Sequence, residues 1–225
     1  MLKTLLALLL KSNCPLCERP ADDNLCPYCQ RQVQRCQLKE CCQFWQGDLP
    51  LFAWGVYDGQ LKRAIAALKY DGRAQLGEFL GYCLGKAWLD SPVRAQANKL
   101  TAVPIPLHPN KQQARGFNQA ELIAKGFCQF TGYPLQIRGL ERRRETQPMF
   151  GLNRSERQQN LSRAFSLGQG FQQRHPQSPV LLLDDIYTTG TTVREAAKTL
   201  RSQGIPVFGV AAIATSKSMN YSSRP

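Results

Sequence analysis

From Leu51 onward the chain alternates apolar runs short enough for strands with longer stretches whose apolar positions recur every three or four residues. Leu51–Tyr57 reads as a strand. Two helices follow, one with Leu61, Ile65 and Leu68 on a common face, the other with Leu76, Phe79, Leu80, Cys83 and Leu84. A buried strand is predicted at Leu100–Ile105, punctuated by Pro104 and Pro106, and then a helix over Gln119–Phe130. From Gly139 to Arg163 the chain is polar, rich in Arg and without regular period. Val180–Leu183 is a continuous apolar run of strand length, Val193–Arg201 a helix and Pro206–Ala214 a second apolar strand. Strands apolar on both faces and separated by helices are what a parallel sheet covered on two sides requires, because each crossover lays its helix on a sheet face. The predicted fold class is α/β.

Before Leu51 the pattern is different. Seven of the nine cysteines lie between Cys14 and Cys42, among Gln and charged residues, and the composition changes after Gly47-Asp48-Leu49-Pro50. This divides the chain into a Cys-rich module over 1–50, an α/β domain over 51–215 and a tail without apolar period over 216–225. Cys14-Pro15-Leu16-Cys17 and Cys26-Pro27-Tyr28-Cys29, eight residues apart, offer four thiolates to one tetrahedral zinc. The gap is shorter than the usual ribbon spacing but fits a compact pair of knuckles, and a segment this small needs such a staple to fold. Cys36 and Cys41 are alternate ligands that could exchange into the set. A redox role for the CxxC pairs is the rival reading, and it lacks a thioredoxin-like βαβ context. Cys83 and Cys128 fall on apolar helical faces and read as small buried hydrophobes.

Charge narrows the class of partner. Lys and Arg number 29 against 16 Asp and Glu, a formal +13, which favours phosphorylated metabolites, nucleic acid or anionic lipid. Between Lys111 and Arg174 there are eleven basic and four acidic residues, with Arg142-Arg143-Arg144 adjacent. Such a cluster suits pyrophosphate, or a nucleic-acid backbone with Phe117, Phe150 and Phe165 at hand for stacking, as well as a merely solvated loop. The apolar run within Met1–Leu10 is too short to span a bilayer and no small-residue cleavage site follows it, so it is expected to pack on the body of a cytoplasmic protein. In that reducing setting, metal binding by the thiols is favoured over disulfides.

The most informative stretch is Val180-Leu181-Leu182-Leu183-Asp184-Asp185-Ile186-Tyr187-Thr188-Thr189-Gly190-Thr191-Thr192. A buried strand ends in two carboxylates, and a hydroxyl-rich turn containing Gly then opens a helix. Ligands of open α/β sheets bind beyond the carboxyl ends of the strands, where helix N-termini offer unpaired N–H groups. Thr192 and Glu195 have the spacing of a capping box. Adjacent carboxylates can accept from vicinal ribose hydroxyls while hydroxyls and N–H groups take a phosphate, so the chemistry suits a sugar phosphate. The alternative is a plain N-capped turn, but two acids at the end of a buried strand are costly unless something hydrogen-bonds them. Gly81-Tyr82-Cys83-Leu84-Gly85-Lys86 misses the P-loop pattern, with three residues between its glycines and Ala87 in place of the hydroxyl residue.

The thirteen residues Val180–Thr192 resemble the phosphoribosyl-pyrophosphate (PRPP) motif of type I phosphoribosyltransferases. That resemblance covers about residues 51–215 and implies a mostly parallel sheet with a hood. It implies that Asp184 and Asp185 bind the ribose hydroxyls and that Thr188, Thr189, Gly190, Thr191 and Thr192 bind the 5′-phosphate, with magnesium accompanying PRPP. Lys69, Val103-Pro104-Ile105-Pro106, Arg115-Gly116-Phe117-Asn118-Gln119, Thr146-Gln147 and Arg157–Asn160 before Ala164-Phe165, together with the Cys-rich start, are similar to the ComF (GntX-like) family. These are competence-associated proteins with a phosphoribosyltransferase-like domain. Lys69, Pro104, Pro106 and Arg115 are then the candidates for the pyrophosphate side, with His108 a neighbouring contact, His175 exposed, and Glu141–Asn160 the hood loop closing over the ligand. The resemblance implies a role in DNA uptake, with single-stranded DNA and other uptake proteins as partners. The alternative is an active phosphoribosyltransferase of nucleotide metabolism whose nitrogen acceptor carries no signature in the sequence.

Overall fold

The computed structural model describes residues 12–96, 99–143 and 164–216. The apolar run Met1–Leu10, Arg144, Thr146-Gln147, Phe150, Arg157–Asn160 and most of the tail lie outside them. Four strands form the central sheet: β3 (Leu51–Val56), β4 (Thr101–Pro104), β7 (Val180–Tyr187) and β8 (Val207–Thr215). Their order is β3-β8-β7-β4, and every neighbouring pair is parallel. The α/β expectation therefore holds.

Side chains alternate across the sheet as a pleat requires. Leu181, Leu183, Phe52, Trp54 and Ile213 enter one core, with α2 (Gly59–Tyr70), α3 (Gln75–Leu89) and α5 (Gln119–Thr131) over it. Val180, Leu182, Leu51, Ala53 and Val210 enter the other, against α7 (Thr191–Arg201). Val180–Leu183 are fully buried. At roughly 1.5–3 kcal/mol for each large apolar side chain removed from water, this strand anchors both layers.

The glycines of the near-miss P-loop have a packing role. Gly81 lies inside α3, where an added Cβ would stand 2.2 Å from the Ile123 carbonyl oxygen, and Gly126 of α5 meets the Glu78 carbonyl equally closely. Only residues without a Cβ let these two helices approach so near.

Before β3, a two-stranded ribbon of β1 (Ser12–Asn13) and β2 (Pro20–Ala21) leads to α1 (Pro27–Gln34). The chain then runs beside β3: Val56 N–H donates to Cys36 O (3.0 Å), Leu38 N–H to Trp54 O (2.9 Å), Ala53 N–H to Cys41 O (3.0 Å) and Leu51 N–H to Phe44 O (3.1 Å). These bonds occupy the edge that a terminal strand would otherwise expose. Trp45 crosses into the aromatic group around Trp88, edge to face at 5.5 Å.

Several expectations need adjusting. β7 continues through Asp184 and Asp185 to Tyr187, because β8 pairs with it as far as Thr215. Helix α7 starts at Thr191 with Gly190 as its N-cap and no side-chain cap, so the Thr192/Glu195 capping box does not form. Thr192 is already inside the helix. The Arg-rich stretch is not wholly irregular, since β5 (Leu140–Arg142) pairs antiparallel with β6 (Phe165–Leu167), followed by α6 (Gln169–Gln173). Phe165 is 5% exposed, with Arg142 over its ring, and is therefore no stacking surface.

Candidate functional site

The site arises from a step in the sheet. β4 pairs with β7 only as far as Pro104 opposite Leu183, and Ile105 N–H donates to Leu183 O (2.8 Å) before the chain turns away. β7 runs four residues further, with β8 on one side and no strand on the other among the described residues. Asp184 and Asp185 sit at this overhang. Their carboxylates take up backbone donors: Asp185 N–H donates to Asp184 Oδ1 (2.9 Å) and Ile186 N–H to Asp185 Oδ1 (2.8 Å). The alternation of the strand breaks here, Ile186 packing with the core of Leu183 and Tyr187 with that of Leu182.

The two acids have different surroundings. Asp185 is 4% exposed, and its Oδ2 lies 2.5 Å from Lys69 Nζ. Helix α2 brings Lys69 there: it begins just after β3 and ends over β7, with Leu61, Ala64, Ile65 and Leu68 buried beneath it. Asp184 is half-buried and carries no ion pair of its own among the described residues. Burial and the neighbouring Asp185 carboxylate push its pKa well above the usual carboxylate range, against a smaller opposing pull from Lys69.

Beyond Tyr187 the chain makes the turn. Thr188 and Thr189 are exposed, and Gly190 is buried with φ +72°. A Cβ on Gly190 would fall 2.1 Å from Tyr187 Oη, so the position requires Gly both for its conformation and for its space. Thr189 and Thr191 hydroxyls bond each other at 2.8 Å. Arg194, one turn into α7, donates to the Thr189 carbonyl and to Tyr187 Oη (3.4 Å), pinning the loop from below. The first N–H groups of α7 have no acceptor within the helix and carry its positive end. Two carboxylates, four threonines that are exposed or half-exposed and a helix N-terminus thus lie along one short path.

The remaining predicted residues come from the other side of the step. Pro104 ends β4, Pro106 follows in the departing loop, and His108 caps α4 (Pro109–Arg115), its Nδ1 accepting from Asn110 N–H at 3.3 Å. The Arg115–Gln119 motif is a helix-to-helix corner. Gly116 closes α4 at φ +84°, Asn118 caps α5 and donates from Nδ2 to Ile105 O (3.1 Å), and Arg115 donates to Gln119 Oε1. Asn118 thereby fixes the loop that leaves β4. Arg115 lies over the ring of Tyr70, 5.6 Å from its centroid, so it stands against the residue that follows Lys69 on α2. Tyr187, Arg194 and Tyr70 went unrecognised in the sequence. Arg194 was legible in principle, standing one turn after a glycine that must adopt a left-handed conformation.

A second cluster lies in the ribbon and α1. The sulfurs of Cys14, Cys17, Cys26 and Cys29 all fall within 4.8 Å of one another. One pair sits in the turn between β1 and β2, the other at the start of α1, where Cys26 Sγ accepts from Cys29 N–H (3.5 Å). Burial raises the Cys14 thiol, but hydrogen bonds from the backbone of Cys26 and Leu16 and from Cys17 outweigh it and bring it down to about 7. Burial and the crowding of the other three thiols push Cys29 up. A bound cation would relieve that conflict, and four thiolates are a donor set suited to zinc. Cys36 and Cys41 are held elsewhere, donating to Gln32 and Asp58 carbonyls and to Leu38 and Trp54 carbonyls respectively. Neither joins the four. Burial pushes the Cys83 and Cys128 thiols up to about 12, in keeping with inert packing residues.

No protein-family model matches the chain. Individual curated proteins do. Competence protein F of Haemophilus influenzae is 29% identical over 213 residues, covering 85% of this chain and 91% of that protein. DNA utilization protein YhgH of Escherichia coli is 29% identical over 198 residues, 85% of each. Competence protein ComFC of Streptococcus pneumoniae is 29% identical over 190 residues, 83% of this chain and 78% of that protein. These alignments each cover more than four-fifths of this chain and agree with the motifs of the sequence: over most of its length the chain is similar to proteins of the ComF family.

Proposed function

We propose that this chain binds PRPP, together with magnesium, at the β7–α7 turn and serves in the uptake or use of DNA. The observation that carries the binding reading is the overhang of β7, which delivers Asp184 and Asp185 to an open sheet edge next to a Gly190 turn and a free helix N-terminus. Thr188–Thr192 offer hydroxyl and N–H donors to a terminal phosphate, and the carboxylates offer acceptors to vicinal hydroxyls. Carboxylate and hydroxyl oxygens are also ligands suited to a hard cation, and magnesium supplies charge neutralisation to the diphosphate. Lys69 and Arg115 stand where added negative charge is favoured.

The DNA reading rests on the relatives' names and on the +13 net charge, to which the Lys111–Arg174 region contributes eleven basic against four acidic residues. In it, single-stranded DNA is the macromolecular partner, DNA-uptake proteins are further partners, and zinc held by Cys14, Cys17, Cys26 and Cys29 stabilises the N-terminal module that lies alongside β3. Among the described residues no helix is long and apolar enough to cross a membrane.

Calorimetric titration of PRPP with and without magnesium tests the first half. Binding that strengthens with magnesium is expected, and heat-silent titrations under both conditions would overturn it. Pyrophosphate release with a nitrogen acceptor would assign the same pocket to a phosphoribosyltransferase reaction.

A further inference from the structure

Tyr70 is 76% exposed, the most exposed of the large apolar side chains among the described residues. It ends α2 directly after Lys69, whose ammonium reaches Asp185 at the overhang, which puts Tyr70 one residue along the helix from that contact. Arg115 covers one side of the ring at 5.6 Å. A tyrosine left in water costs apolar exposure, and a guanidinium over one face alone leaves the rest of the ring open.

The surrounding charges are mostly positive. Lys111 lies one helical turn before Arg115 on α4, and Arg73 is in the turn after α2; both are exposed, with Asp71 the one acid between Tyr70 and Ala74. An aromatic ring flanked by cations that can follow a phosphate backbone is the arrangement that binds unpaired bases with little sequence preference. The degree of exposure selects the ligand. A free base needs a cavity that encloses most of its surface, which a ring exposed to this extent does not provide. A base carried on a strand needs only one ring face, because its flanking phosphates supply the rest.

We infer that Tyr70, backed by Arg115 and one residue along α2 from the Lys69–Asp185 contact, is the stacking platform for an unpaired base of a DNA strand. This rests on the reading of the chain as a single-stranded DNA handler and names a residue at which the strand is held.

The test uses the full-length chain with fluorescein-labelled oligothymidylate and an abasic oligomer of equal length, measured by anisotropy. Tyr70→Ala should bind oligothymidylate about 5- to 100-fold more weakly. Its binding of the abasic oligomer and its calorimetric affinity for PRPP should match wild type. Tyr70→Phe should restore oligothymidylate binding, since the ring and not the hydroxyl carries the contact. Equal oligothymidylate affinity for Tyr70→Ala and wild type would overturn the platform while leaving the DNA reading standing. Wild-type protein that binds neither oligomer would overturn both. A loss of equal size on the abasic strand would also overturn the platform, because stacking needs a base.

Discussion

The ion pair between Lys69 and Asp185 is the contact by which the site is joined to the fold, and its removal has a calculable cost. Lys69 Nζ lies 2.5 Å from Asp185 Oδ2, with side-chain exposures of 16% and 6%. Lys69→Met keeps the apolar stem and removes the charge, leaving a carboxylate in a nearly dry position. Breaking one side of a buried pair costs about 3–5 kcal/mol, and because Lys69 is not fully sealed from water the lower end, about 3 kcal/mol, applies. Asp185→Asn should cost less, about 1–2 kcal/mol, because the lysine can swing its ammonium to solvent. The double variant removes both charges and should return to within about 1 kcal/mol of wild type, a coupling that identifies the pair itself. Urea unfolding followed by tryptophan fluorescence measures all three. For a chain of this size, about 3 kcal/mol corresponds to a fall in Tm of roughly 6–12 °C. A Lys69→Met variant within about 0.5 kcal/mol of wild type, or additive single effects, would refute the assignment of a structural ion pair.

Gly190→Ala, forced into φ +72° with its Cβ against Tyr187 Oη, should destabilise by about 1–3 kcal/mol and weaken PRPP binding together, measured by urea unfolding and calorimetry. Cys29→Ser should lower zinc content, read by atomic emission, from about one per chain towards zero, whereas Cys36→Ser should leave it unchanged. Asp184 gives a pH dependence of definite sign. Its folded pKa is raised, so in the ligand-free protein its protonated form stabilises the fold at low pH, and that contribution is lost as pH rises from the usual carboxylate range through the raised value. Asp184→Asn should flatten this part of the profile of unfolding free energy against pH.

The strands and helices were legible because their apolar periods are unbroken: Val180–Leu183 is apolar at every position and is buried on both faces. The ends were less legible, for identifiable reasons. Beyond Leu183 two acids interrupt the apolar run, so periodicity stopped there, yet β8 supplies backbone partners through Tyr187 regardless of side chain. Thr192 and Glu195 matched a capping pattern, but the left-handed Gly190 opens the helix earlier and makes that cap redundant. The spacing Cys14–Cys17 and Cys26–Cys29 identified the cluster, since two short knuckles fix which thiols can meet. Spacing could not show that Cys36 and Cys41 are turned towards carbonyls by the chain pairing with β3. Phe165 was misread because an Arg-rich neighbourhood suggested a surface, whereas pairing of β5 with β6 turns that ring inward. Tyr70 carries no sequence signature at all, because its significance comes from the meeting of α2 with α4.

The most direct test of the proposed PRPP site is calorimetric titration of Asp184→Asn/Asp185→Asn with PRPP in the presence of magnesium, beside wild type and with zinc content measured on the same samples. Binding by wild type, its loss in the double variant and unchanged zinc are expected, because the carboxylates lie at the β7 overhang and the thiols in a separate cluster. PRPP affinity that survives in the double variant would contradict the assignment.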